Sequence, residues 1–144
     1  MFKPFIATVA LISLFAGPTL EAQKKVILPK GAAPNGGWSY GILVDGTLYV
    51  SGMGSEDAAG KIPATFEAEV KQSLDNINAV LKEAGMAPAD IVSMQVYITD
   101  AALFDRMNTT YKAYFKDPKP ARTTVVVSKL VGAGHVEITA TARK

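Results

Sequence analysis

The 144-residue chain has no cysteine, one histidine and one tryptophan, and each scarcity removes a class of chemistry. Without cysteine there is no disulfide, no thiolate nucleophile and no sulfur-ligated metal centre. A lone His135 builds no histidine cluster, and the carboxylates do not fall at ligand spacing, so no metal and no other cofactor is expected. Charge of neither sign dominates: 15 Lys and Arg stand against 13 Asp and Glu, a net of +2. The basic residues are scattered apart from Lys24-Lys25 and Arg143-Lys144, so the stripe that a nucleic-acid partner requires is missing. Beyond the first 22 residues no apolar run is long enough to cross a bilayer.

Those first residues read as a separate unit. Lys3 gives a positive start, Phe5 to Gly17 is an uncharged, mostly apolar run, and Pro18-Thr19-Leu20-Glu21-Ala22 breaks a helix and ends on a small residue. This is the pattern of a secretory signal peptide over 1–22, too short for a stable membrane anchor. The expected mature protein starts near Gln23 and is exported, periplasmic or secreted.

Residues 23–144 suit one domain. Val26 to Leu28 can form a short edge strand, and Gly36-Gly37 frees the backbone before Trp38. Ile42 to Val44 and Thr47 to Val50 flank Asp45-Gly46, a pair suited to the positive φ angles of a two-residue hairpin turn. The second strand runs into Ser51-Gly52-Met53-Gly54, where glycines permit a close approach to the backbone. Phe66, Val70, Leu74, Ile77, Leu81 and Ala84 recur at helical steps, with Thr65 placed to cap and Gly85 to stop the helix. Ile91 to Thr99 alternates with strand period, setting Val92, Met94, Val96 and Ile98 on one face. Asp100 can cap a second helix carrying Phe104, Met107, Tyr111 and Phe115, closed by Pro118 and Pro120. Two strands remain, Thr123 to Leu130 and His135 to Arg143, separated by a glycine-containing turn.

This order predicts an α+β, two-layer sandwich: a mixed sheet with two helices on one face. The other face stays bare and carries apolar residues, which points to self-association. Arg122 precedes the strand Thr123-Thr124-Val125-Val126-Val127, where a rigid backbone would hold its planar fork for a carboxylate. Taken alone, an arginine so placed is more often half of a surface ion pair.

The segment PARTTVVVSKL followed by a turn and VEI resembles the C-terminal signature of the Rid (YjgF) family of reactive-intermediate deaminases. VDGTLYVSG, EVKQSLDNINAVLKEAG, DIVSMQVYITD and FDRMNTTYKAYF resemble further family segments in the same order, so the likeness covers nearly all of 23–144. It implies a chorismate-mutase-like fold and a homotrimer with clefts between subunits. It also implies hydrolysis of 2-imino acids to 2-keto acids and ammonia, without a cofactor. Carried over by position, Arg122 matches the arginine that binds the substrate carboxylate and Glu137 the glutamate beside the attacking water. Gly52 matches a glycine whose backbone contacts substrate, Thr124 a position whose amide contributes, and Asn108 a helix asparagine. Two segments depart from the family pattern: Gly36-Gly37-Trp38 stands for Gly-Pro-Tyr, and Met53-Gly54-Ser55 for Gln-Ile-Pro. Both border the implied cleft, where Trp38 would form a wall.

Imine hydrolysis needs water delivered to a C=N carbon and a proton carried away. The expected division of labour has Arg122 fix the carboxylate and Glu137 act as general base, the two sharing one side of the sheet. For Glu137 the competing explanation is a cross-strand ion pair. For the whole protein it is a trimeric binder that holds small carboxylates without turnover.

Overall fold

In the computed structural model, residues 22–144 are described; all of the expected signal segment except Ala22 lies outside them. The strands are β1 (Lys25–Ile27), β2 (Gly41–Val44), β3 (Thr47–Met53), β4 (Ile91–Ile98), β5 (Ala121–Val126) and β6 (Val136–Arg143). The helices are α1 (Phe66–Glu83) and α2 (Phe104–Tyr114). They form one six-stranded sheet in the order β1-β2-β3-β6-β4-β5. All neighbours are antiparallel except β4 and β5, which α2 joins as a parallel pair. β3 and β4 are connected through α1 and leave between them the slot that β6 fills.

Local signals account for the ends. Asp45 and Gly46 turn between β2 and β3 with φ of 47° and 72°, the left-handed pair that matches strand twist. The Thr65 hydroxyl accepts from Ala68 N at the start of α1, and Gly85 follows it at φ 72°. A cap contributes about 1 kcal/mol. Val70, Leu74, Ile77, Val80 and Leu81, each at most 1% exposed, contribute about 1.5–3 kcal/mol apiece. Core burial, not capping, therefore fixes where α1 lies, against Leu48, Val50, Ile138 and Ala140 of the sheet.

Three boundaries differ from expectation. β4 starts with Ile91 buried and Val92 51% exposed, because its register against β6 slips between Ile91 and Ser93 and turns that first residue over. β5 ends at Val126 rather than Leu130: Val127 N still donates to Ile98 O, but β4 offers no further partner and the chain leaves the sheet. His135 is not part of β6, since its N–H donates to Glu69 Oε2 (2.8 Å) and not to a neighbouring strand.

Candidate functional site

Arg122 is the second residue of β5 and pairs with Met94 of β4. Met94 is buried, so Arg122 points to the same, helix-covered face. It reaches the sheet edge against one side of α2, where Met107, Asn108 and Tyr111 are grouped by helical spacing. Its Cζ lies 4.5 Å from the Tyr111 ring centroid, Nη2 donates to Asn108 Oδ1 at 2.7 Å, and Nη1 is 3.6 Å from the Met107 sulfur. None of these neighbours is anionic, and no carboxylate of the described residues lies within 4 Å of the guanidinium. The surface ion pair is thus absent. A half-buried cation held by a ring face and an amide is oriented, yet still lacks a counter-ion. Burial pushes the Tyr111 phenol above its ordinary range, with the Arg122 charge opposing, so the ring under the guanidinium stays neutral. Thr124, two residues on, pairs with buried Val96 and has a buried hydroxyl with no hydrogen-bond partner.

Glu137 lies elsewhere. It is the second residue of β6, between buried Val136 and Ile138, and so faces the bare side of the sheet. It is in register with Tyr97 of β4, and Tyr97 with Val125 of β5. No cation of the described residues lies within 4 Å of it, which removes the cross-strand ion pair that competed with a catalytic role. Its carboxylate rests on the backbone of Gly52, where any Cβ would clash with it. Gly52 sits at the irregularity between Val50 and Met53, where β3 slips against β6. Neighbouring Ser51 carries the Trp38 segment: Ser51 Oγ donates to Ser39 O at 2.7 Å and Ser51 N to Tyr40 O at 3.1 Å. Trp38 packs on Tyr40 at 4.8 Å between centroids and lines a cleft of about 170 Å³ with Val26, Leu28 and Pro34. Met53, expected beside the cleft, is instead 5% exposed and part of the core.

The expected side-by-side placement of Arg122 and Glu137 is therefore corrected. β4 separates their strands, and their partners on it, Met94 and Tyr97, are three residues apart, so the two stand about 10 Å apart across the strands and a further ~10 Å along them, on opposite faces. One chain carries the candidate residues in two groups: Arg122, Asn108 and Thr124 on one face, and Glu137 and Gly52, with Trp38 nearby, on the other. Sequence reasoning missed Tyr111 as the guanidinium's support, because its place on the apolar stripe of α2 equally marks a core residue. It also missed a third cluster, in which Glu69 is 4% exposed and binds Ser55 and His135. The separations of 15 and 14 residues that join Met107 and Asn108 to the β5 arginine match no helical or strand period in the chain.

The described residues thus form a two-layer α+β unit whose oriented arginine has no anionic partner among them. The family described as Endoribonuclease L-PSP matches residues 30–144, and the chain belongs to that family, the YjgF/RidA proteins. It is 38% identical over 122 residues to a 2-iminobutanoate/2-iminopropanoate deaminase of Bos taurus, covering 83% of this chain and 89% of that protein. It is 39% identical over 119 residues to a RutC family protein of Aquifex aeolicus, covering 81% and 95%. Among solved structures, YyfA of the Rid protein family from Yersinia pestis matches with a TM-score of 0.80 at 36% identity, covering 85% of this chain and all of that one. The YjgF gene product of E. coli matches at 0.79 and 33%, covering 83% and 98%. The α+β, chorismate-mutase-like fold is thereby that of the family.

Proposed function

We propose that this protein hydrolyses 2-imino acids to 2-keto acids and ammonia in a site assembled from two copies of the chain. The observation that carries the reading is Arg122: half-buried, stacked on Tyr111, bonded to Asn108 and without an anionic partner. A substrate carboxylate supplies the missing counter-ion through the free edge of the fork. The Thr124 hydroxyl and the backbone beside it add polar contacts on the same face. Glu137 takes a proton from water as that water adds to the imine carbon. With the imine nitrogen already protonated, the resulting carbinolamine carries OH and NH₂ on one carbon; Glu137 then returns its proton to nitrogen, and as ammonia leaves the hydroxyl proton passes back to Glu137 and the carbonyl forms. Gly52, lacking a side chain, lets substrate come close to the backbone that supports Glu137, and Trp38 closes an apolar wall.

Both half-sites cannot act on one small molecule within a single chain, since the sheet lies between them. Juxtaposing the Arg122 half of one subunit with the Glu137 half of another solves this. A closed ring of three copies would repeat the junction while covering the bare face, where Tyr49 and Val125 are 53% and 41% exposed. The names of the relatives support the reaction class.

The test couples an amino-acid oxidase to the protein and follows loss of the 2-imino acid. Acceleration over the spontaneous rate is expected. Its absence, with 2-ketobutyrate still bound, would make the protein a carboxylate binder; absence of both removes the reading. Light scattering should give three chains per particle, and a monomer that remains active would defeat the shared site. We further propose that residues 1–22 direct export, which predicts an intact mass for the exported protein beginning near Gln23.

A further inference from the structure

We infer that Glu69 is a positioning residue for Glu137, a role that rests on the proposed reaction but is carried by a separate set of contacts. Glu69, Ser73 and Asn76 recur at steps of four and three, so α1 presents them as one polar stripe beside its apolar face. All three face the end of β3 or the loop chain that follows it and precedes β6. Ser73 Oγ donates to Met53 O at 2.7 Å, and Asn76 Nδ2 donates to Gly54 O at 3.0 Å and to Glu56 O at 2.9 Å. Buried backbone carbonyls need donors, and Ser73 and Asn76 supply them where the β3 ladder ends.

Glu69 does something different, because it joins two segments. One oxygen, Oε2, accepts from Ser55 Oγ at 3.2 Å and from His135 N at 2.8 Å. The other, Oε1, lies 2.9 Å from His135 Nδ1. Ser55 is fully buried and comes three residues after Gly52. His135 comes two residues before Glu137, and its carbonyl accepts from Thr99 N at 3.2 Å. One buried carboxylate thus ties the exit of β3 to the entry of β6. Gly52 and Glu137, whose contact forms the half-site, lie on the two segments so tied. Gly134 is held to the same geometry, since a Cβ there would approach Ser55 Oγ at 2.9 Å. Removing the carboxylate leaves Ser55 and the His135 N–H without their acceptor. The β6 entry can then shift relative to Gly52, moving Glu137 from the water it activates. Arg122 belongs to another strand and face, so the carboxylate anchor should be untouched.

The experiment measures kcat and KM for 2-iminobutanoate, and the Gly52 amide resonance, in Glu69→Ala, Glu69→Gln and Ser55→Ala, each first checked for folding and assembled mass. Glu69→Ala should lower kcat roughly 10- to 100-fold, as misplacement of a reacting group does, with KM within about 3-fold. Glu69→Gln should stay close to wild type: its carbonyl can accept from Ser55 and His135 N, and its amide can donate to Nδ1 of the other histidine tautomer. The Gly52 resonance should move in Glu69→Ala and hold in Glu69→Gln. If Glu69→Ala does not fold, Ser55→Ala carries the test, with a smaller fall in kcat and the same direction of resonance shift. An unchanged kcat and Gly52 resonance, a loss expressed in KM, or equal losses for Ala and Gln would each overturn the inference. If wild type itself shows no turnover, the proposed reaction is what fails, and the Gly52 resonance alone decides the role of Glu69.

Discussion

Replacing Arg122 by lysine keeps the positive charge and removes the fork. In the native arrangement Nη2 is committed to Asn108 and Cζ lies over the Tyr111 ring, 4.5 Å from its centroid, which holds the fork for two parallel hydrogen bonds to a carboxylate. Lysine can offer one charge-assisted bond from a flexible stem, so it forfeits about 1.5–3 kcal/mol. Converted at 1.36 kcal/mol per decade, that is roughly a 10- to 150-fold fall in kcat/KM. Arg122→Ala removes the whole pair, for which about 2–5 kcal/mol is typical, or roughly 30- to 5,000-fold. The assay generates the imino acid with an oxidase and traps what remains at timed intervals, at several substrate concentrations. Both losses should appear mainly in KM, because the anchor binds ground and transition states alike. Stability should change little, since Asn108 is only partly buried and water can replace the lost donor. Lysine equal to arginine would refute the fork, and alanine equal to wild type would remove Arg122 from the site altogether.

Glu137→Gln preserves the side-chain shape over Gly52 and removes the base, so kcat should fall roughly 10²- to 10⁴-fold with little change in KM; single-turnover kinetics checks this. Gly52→Ala forces a Cβ into the Glu137 carboxylate and should cost about 1–3 kcal/mol in chemical denaturation, a cost that largely disappears in a Glu137→Ala background. The Tyr114 phenol is pushed above its ordinary value of 10 by burial and then by its hydrogen bond to Asp75 (2.9 Å). The folded chain therefore holds this proton more tightly than the unfolded one, and the stabilisation is complete below pH 10 and lost as pH rises through the folded value. Thermal midpoints measured upward from pH 9 should fall less steeply in Tyr114→Phe than in wild type.

What the sequence determined by itself was whatever depends on neighbours along the chain. The Asp45-Gly46 turn, the amphipathic period of α1 with Thr65 and Gly85 at its ends, and the two-layer class all follow from local conformational preference and face periodicity. Arg122 stood out as a candidate anchor by its place ahead of a strand, and Glu137 was picked out only by the family resemblance. Their relationship to each other was not legible. Strand order is a tertiary choice: β4 inserts between β5 and β6, and a side chain's face depends on register, which a single slip reverses. That is why Val92 is exposed, why Met53 belongs to the core, and why the two candidate residues ended on opposite sides of the sheet. Tyr111 beneath Arg122, and Glu69 joining Ser55 to His135 across separations of 14 and 66 residues, are likewise visible only once packing brings distant segments together.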